Sequence, residues 1–221
     1  MSFYNTILQE AIDIFHTNGV ESLSEQALIK KLNVSNATFY EFFEDKEDLL
    51  TQAITASLDE ERELHRDILN ASLNAVEEVM GLLAQGVQQL KQISPLYFQD
   101  LVAHYPAAWE LYLHHSRTYT VPLLTEIIER GIKEDLFCNN LNPDIITRII
   151  LGQVNVLLDQ ALFPAAGYQI SEVYKTIYLH LVRGICTAQG VKITEKFFAV
   201  NKPVSSPVKS NTIVSDTEPA G

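Results

Sequence analysis

The chain has 221 residues, of which 16 are Lys or Arg and 28 are Asp or Glu, for a formal charge of −12, and 47% are hydrophobic. This is enough chain for one sizeable core or two small joined ones, which excludes a disulfide-stapled miniprotein. The acidic balance excludes a generally basic nucleic-acid coat, so any contact with nucleic acid has to be local. Cys138 and Cys186 lie far apart, and the start MSFYNTILQE has neither a basic nor an apolar signal region, so the expected location is the reducing cytoplasm. The most apolar stretch, 145–163, is interrupted by Arg148, Gln153, Asn155 and Asp159 and reads as a buried helix, with no membrane partner.

Apolar residues recur at three- and four-residue steps almost throughout, which predicts an all-α chain. A first helix is expected from about Phe3 to Thr17, burying Ile7, Leu8, Ala11, Ile14 and Phe15 and stopping at Asn18-Gly19. Ser24 can cap a second, short helix through Ala27, Leu28 and Leu32. Asn33 then supplies a turn residue tolerant of positive φ. Ser35 can cap a third helix to about Phe43, and Asp45 a longer fourth through Leu49, Leu50, Ile54 and Leu58. Further helices are expected at about 71–92, 95–104, 107–133, 142–163 and 171–189, with a kink at Pro122. The core should end near Phe198, leaving residues 199–221, rich in Pro and Ser, as a disordered tail. No glycine loop, zinc-type Cys/His spacing or nucleophile elbow is present, so the reading is of a chain that is not an enzyme and uses no cofactor.

Two short helices with an Asn turn and the string Ser-Asn-Ala-Thr-Phe-Tyr form a helix-turn-helix candidate. Taken together, ILQEAIDIF, Asn18-Gly19-Val20, Ser24 with Leu28, Val34-Ser35, Thr38-Phe39-Tyr40, Phe43, Lys46 and Leu49-Leu50 resemble the DNA-binding domain of the TetR family of bacterial transcriptional regulators. IIERGIKEDLF before Asn142-Pro143, and LVRGI near the end, are similar to the family's later helices. The resemblance implies a three-helix helix-turn-helix domain over 1–46 and a helical ligand-binding and dimerisation domain over 47–198. It also implies a homodimer formed through the helices at about 142–163 and 171–189. It further implies a repressor that binds a palindromic double-stranded DNA operator and is released by a small-molecule effector.

By the same resemblance Thr38, Tyr40 and Lys46 hold phosphates, leaving base reading to Ser35, Asn36 and Ala37. Residues 1–50 depart from the family pattern in charge, with three basic residues (Lys30, Lys31, Lys46) against nine acidic ones, a balance of −6. An alternative reading follows from that balance: a dimeric ligand-binding or protein-interaction module that has lost DNA. The resemblance also implies a ligand pocket among helices 4 to 8, and the aromatic concentration between Tyr97 and Tyr119 nominates Tyr105, Trp109 and Tyr112 as its walls for an apolar or aromatic effector. His114-His115 is not read as a metal pair, because adjacent helical positions diverge by about 100°.

Overall fold

The computed structural model describes residues 2–159, 161–164 and 167–200. The described elements are helical: α1 (Phe3–Asn18), α2 (Glu25–Lys31), α3 (Asn36–Phe42), α4 (Lys46–Ala71), α5 (Ala75–Leu90), α6 (Pro95–His104), α7 (Pro106–His115), α8 (Val121–Lys133), α9 (Pro143–Leu158), α10 (Ile170–Ile185) and α11 (Ala188–Val200). Local chemistry explains most of the starts. The side chains of Ser2, Ser24, Ser35, Asp45, Asn74 and Asn142 each accept a hydrogen bond from the backbone N–H three residues further on, inside the helix that follows. The predicted turn is present: Asn33 has φ 53°. No helix among the described residues is long and apolar enough to cross a membrane.

Two apolar cores organise the chain. The first joins α1–α4 to Tyr97 and Leu101 of α6, Tyr105 between helices, and Ala108 of α7. The second gathers α5, α8, α9 and α10 around Met80, Ile127, Ile128, Phe137 and Val182. Helix α4 runs out of the first toward the second. The buried carboxylate of α5, Glu78, is met by Arg130 of α8, as the low dielectric of a core demands.

Several boundaries differ from expectation: α9 ends at Leu158 instead of near 163 and α5 is Ala75–Leu90 instead of 71–92, and three further differences have a clear physical cause. The stretch 107–133 is interrupted by a π-helical turn, Ser116–Thr120, in which the Val121 N–H reaches the Ser116 carbonyl, so the irregularity lies just before Pro122. Proline has no N–H to continue the α ladder and crowds the preceding turn, which widens to absorb it. The last expected helix ends at Ile185 instead of near 189, because its end is drawn into backbone pairing with 136–138: Cys138 N–H donates to Ile185 O at 2.8 Å and Thr187 N–H to Leu136 O at 2.9 Å. A separate helix, α11, follows. Gly190 is required in it, since a Cβ there would collide with the Leu136 carbonyl. Helix α11 runs to Val200, and the rest of the expected tail, 201–221, lies outside the described residues.

Candidate nucleic-acid interface

Helix α3 is pinned from behind and open in front. Phe39 is 0% exposed, packing against Phe43 with ring centroids 5.4 Å apart. Ser35, Asn36, Ala37 and Tyr40 are exposed on the other side, with Thr38 half-buried. Ser35 Oγ accepts the Thr38 N–H at 3.0 Å and lies 2.8 Å from the Thr38 hydroxyl, so these two side chains hold each other at the helix N-terminus. Asn36 and Ala37 sit in the first turn, the part of such a helix that reaches base edges in a major groove.

Tyr40 is 51% exposed, and its hydroxyl donates to Glu25 Oε1 at 2.7 Å. The other oxygen of that carboxylate accepts the Lys46 backbone N–H at 2.9 Å. Glu25 therefore bridges a phenol and the N-terminus of α4, two donors that also suit a phosphate. The contact raises the Tyr40 pKa, chiefly through the hydrogen bond to Glu25.

Lys46 turns inward. Its ammonium donates to Leu23 O at 3.0 Å and Val20 O at 3.3 Å, lies 3.9 Å from Glu21 and stands 5.5 Å from the centroid of the Tyr105 ring. Glu41 and Glu44 are exposed beside α3. Lys31 is tied to Asn18 Oδ1 at 3.0 Å.

The loop after α1 is held from the body of the protein. Asp100 Oδ2 of α6 accepts the N–H groups of Val20 at 2.7 Å and Glu21 at 2.9 Å, and Ser94 N–H donates to His16 O at 2.7 Å. Gly19 has φ 79°, and a Cβ there would meet the Asp100 carboxylate at 2.8 Å, so only glycine lets the loop come this close. The Tyr105 hydroxyl donates to Glu21 Oε1 at 2.5 Å. This bond is the leading cause that lowers the Glu21 carboxyl pKa.

Of the nominated pocket residues, Tyr105 is thus part of the clasp between head and body. Trp109 and Tyr112 lie on α7 with centroids 6.1 Å apart, and the Tyr112 hydroxyl is 2.9 Å from that of Tyr97. His114 is exposed whereas its neighbour His115 is buried, so the two point apart. Among the described residues no group of three or more His, Cys, Asp or Glu is placed to hold a metal.

Sequence reasoning did not single out Glu25 or Asp100. Glu25 reads there as an acidic first-turn residue favoured by the helix dipole, and nothing local marks Asp100, whose partners lie 79 and 80 residues away.

Residues 7–53 match a family model described as bacterial regulatory proteins, tetR family. Over 183 residues the chain is 24% identical to the uncharacterized HTH-type transcriptional regulator YvaF of Bacillus subtilis, covering 81% of this chain and 93% of that protein. It is 20% identical over 190 residues to the HTH-type transcriptional repressor KstR2 of Mycobacterium tuberculosis, covering 84% and 93%. Its fold matches a putative transcriptional regulator from Saccharomonospora viridis solved in complex with choline, with a TM-score of 0.67, 16% identity and coverage of 83% and 97%. The pinned, open-faced helix-turn-helix thus carries the match to the tetR family model over residues 7–53, and the chain is similar to transcriptional regulators along almost their whole length.

Proposed function

We propose that this regulator is a homodimeric repressor that sets two copies of α3 into adjacent major grooves of a palindromic operator and is released when a small molecule occupies its body. The observation that carries this reading is the exposed row Ser35, Asn36, Ala37 and Tyr40 on a helix anchored by Phe39. Thr38 and Tyr40 hold phosphates, and Lys46 joins them by leaving its carbonyl partners. Asn36 and Ala37 read bases, supported by Ser35. Dimerisation uses α9 and α10, where Ile145 and Ile149 are exposed one helical turn apart. Half-sites about 34–36 Å apart fit one spacing of the two heads.

Release follows from the clasp. The effector lies among α4–α8 with Trp109 and Tyr112 in its wall, and Tyr105 passes its presence to Glu21. A shift of α6 moves Asp100, and with it the loop that joins α1 to α2. DNA and effector then weaken each other by the same factor.

The test is fluorescence anisotropy of the full chain on DNA upstream of its own gene over a salt series, beside a Tyr40→Ala, Lys46→Ala double variant. Selective binding that weakens with salt and is lost in the variant supports the reading. A second reading, a dimeric ligand-binding module without DNA, is favoured by the Glu25 carboxylate that already occupies Tyr40 and the α4 N-terminus. No binding at low salt to that DNA or to a random-site library selects it.

A further inference from the structure

The inward stripe of α4 begins as an ordinary apolar one, with Leu50, Ile54 and Leu58 buried. Three and four residues further on it continues as Glu61, Arg62 and His65, which lead into the interior between α4, α7 and the π-turn. These polar groups are poorly satisfied. His65 is 8% and His115 6% exposed, yet His65 Nδ1 and His115 Nε2 have no hydrogen-bond partner among the described residues, and neither has Arg62 Nε. Glu61 is met at ion-pair range by His65 Nε2, 3.5 Å from its Oε1. Buried polar atoms without partners are costly and rare, and three in one cluster mark a place built for something else.

The surroundings are aromatic. Tyr119 lies over the cluster, its ring 5.9 Å from His65, 5.0 Å from His115 and 5.1 Å from the Arg62 guanidinium. The charge of Glu61 is also felt by Tyr112 of α7 and Tyr174 of α10. Tyr174 comes in close because Gly86 of α5 has no side chain, and a Cβ there would meet its hydroxyl at 2.6 Å. Glu61 keeps 25% of its side-chain surface, and Tyr112, Tyr119 and Tyr174 are likewise only half-buried, so the cluster is reachable from solvent.

We propose that this cluster is the head-group site for an organic ammonium ion, in which Glu61 meets the cationic amine and the tyrosine rings of Tyr112, Tyr119 and Tyr174 enclose the body of the molecule. A carboxylate among aromatic faces is an environment that attracts a cation from two sides, by charge and by the ring quadrupoles. The Glu61 carboxylate itself opposes an anionic ligand there, and the neutral His65 beside it, with its Nε2 toward Glu61, adds no positive charge to compete with the ammonium. Arg62 stands at the edge of the cluster, its guanidinium over Tyr119 and 3.8 Å from Asp59, so the Asp59 carboxylate shares its charge with Glu61.

Titration supports the placement. Burial pushes the Glu61 carboxyl up to about 7, with Arg62 opposing, and burial also lowers the His65 and His115 pKa values, the latter to about 4. The histidines are neutral acceptors at neutral pH while Glu61 is half-ionised. The other charged groups near the cluster are Asp59, Glu63 and Arg66 of α4 and His114 of α7. A bound cation favours the carboxylate, so its affinity rises from about pH 6 to about 8, with the slope set by the proton that Glu61 releases.

This inference rests on the reading that the body of the protein takes a small molecule. Its test is calorimetry of the full chain with three probes of one shape: naphthalen-1-ylmethylammonium, the neutral naphthalen-1-ylmethanol and the anionic naphthalene-1-carboxylate. The expected result is at least a tenfold preference for the ammonium over the alcohol that grows from pH 6 to pH 8 and is lost in Glu61→Gln. The wild-type comparison stands even if that variant fails to fold. Equal binding, a preference for the alcohol or carboxylate, a preference that survives in Glu61→Gln, or no saturable uptake of the ammonium overturns it. DNA anisotropy without probe is read in parallel: DNA binding without ammonium uptake rejects this site alone, whereas ammonium uptake without DNA binding rejects the repressor reading alone.

Discussion

Helix α4 contrasts its own two parts. At its start, charges and donors close on one another: Asp45 caps Asp48 N–H, Glu25 takes the Lys46 N–H and the Tyr40 hydroxyl, and the Lys46 ammonium holds two carbonyls. Fifteen to nineteen residues on, Glu61 and His65 of the same helix are set among aromatic rings and have fewer partners. Polar groups that satisfy each other set a geometry, whereas buried groups left short of partners store an affinity for a ligand. The head is therefore preassembled, and the body waits to be completed.

The largest test removes the pin behind α3. Phe39→Ala empties a fully buried site and is expected to cost about 3–5 kcal/mol, read as a lowered urea midpoint together with loss of DNA binding. If DNA binding survives at full strength, the preassembled head is the wrong picture. Next is the clasp. Asp100→Ala strands two backbone donors and is expected to cost about 1–3 kcal/mol. It should speed hydrogen exchange at Val20 and Glu21 while α2 and α3 stay protected.

A third expectation runs the other way. Glu25→Gln removes a negative charge from between Tyr40 and the α4 N-terminus, so operator affinity should rise several-fold and the salt slope steepen by about 0.9 for each further phosphate that the head neutralises. A fall in affinity would show instead that Glu25 positions Tyr40 for DNA.

The smallest effect sharpens the contrast through pH. His16 and His115 have folded pKa values of about 4 against 6.5 unfolded, so the unfolded chain binds more protons between those values and stability rises with pH across that window. Glu61 is raised from 4.5 to about 7, so the folded chain holds its proton longer and the stability it contributes is lost as pH rises through 7. Two histidines outweigh one carboxyl where the windows overlap, so thermal melts should peak near pH 6.5. Glu61→Gln should remove the decline above that peak and steepen the rise below it.

The head was the most legible part. Ser24, Ser35 and Asp45 cap where their residue types indicate, Asn33 takes the positive φ expected of the turn, and the apolar spacing of α1 and α4 marks the buried faces. The Glu61 cluster was available in principle, because the three-and-four spacing continued from Leu58 lands on Glu61, Arg62 and His65. Inside the run Asp-Glu-Glu-Arg-Glu, however, local composition reads as a solvated face. Helix α11 was missed because the break before it is made by a distant partner, the 136–138 segment, and not by a proline or a capping pattern at 186.

Residue order alone set which segments are helices, where most of them start, and which family's model residues 7–53 match, since capping, turn chemistry and apolar periodicity act within a few residues and are written in residue type. The packing of distant segments set the rest: Glu25 sits between Tyr40 and α4, Asp100 holds a loop 80 residues away, and Glu61 comes near Tyr112, Tyr119 and Tyr174. Those facts depend on which surfaces meet. The free energy of a polar group is set by the partners it finds there, and no local pattern encodes them.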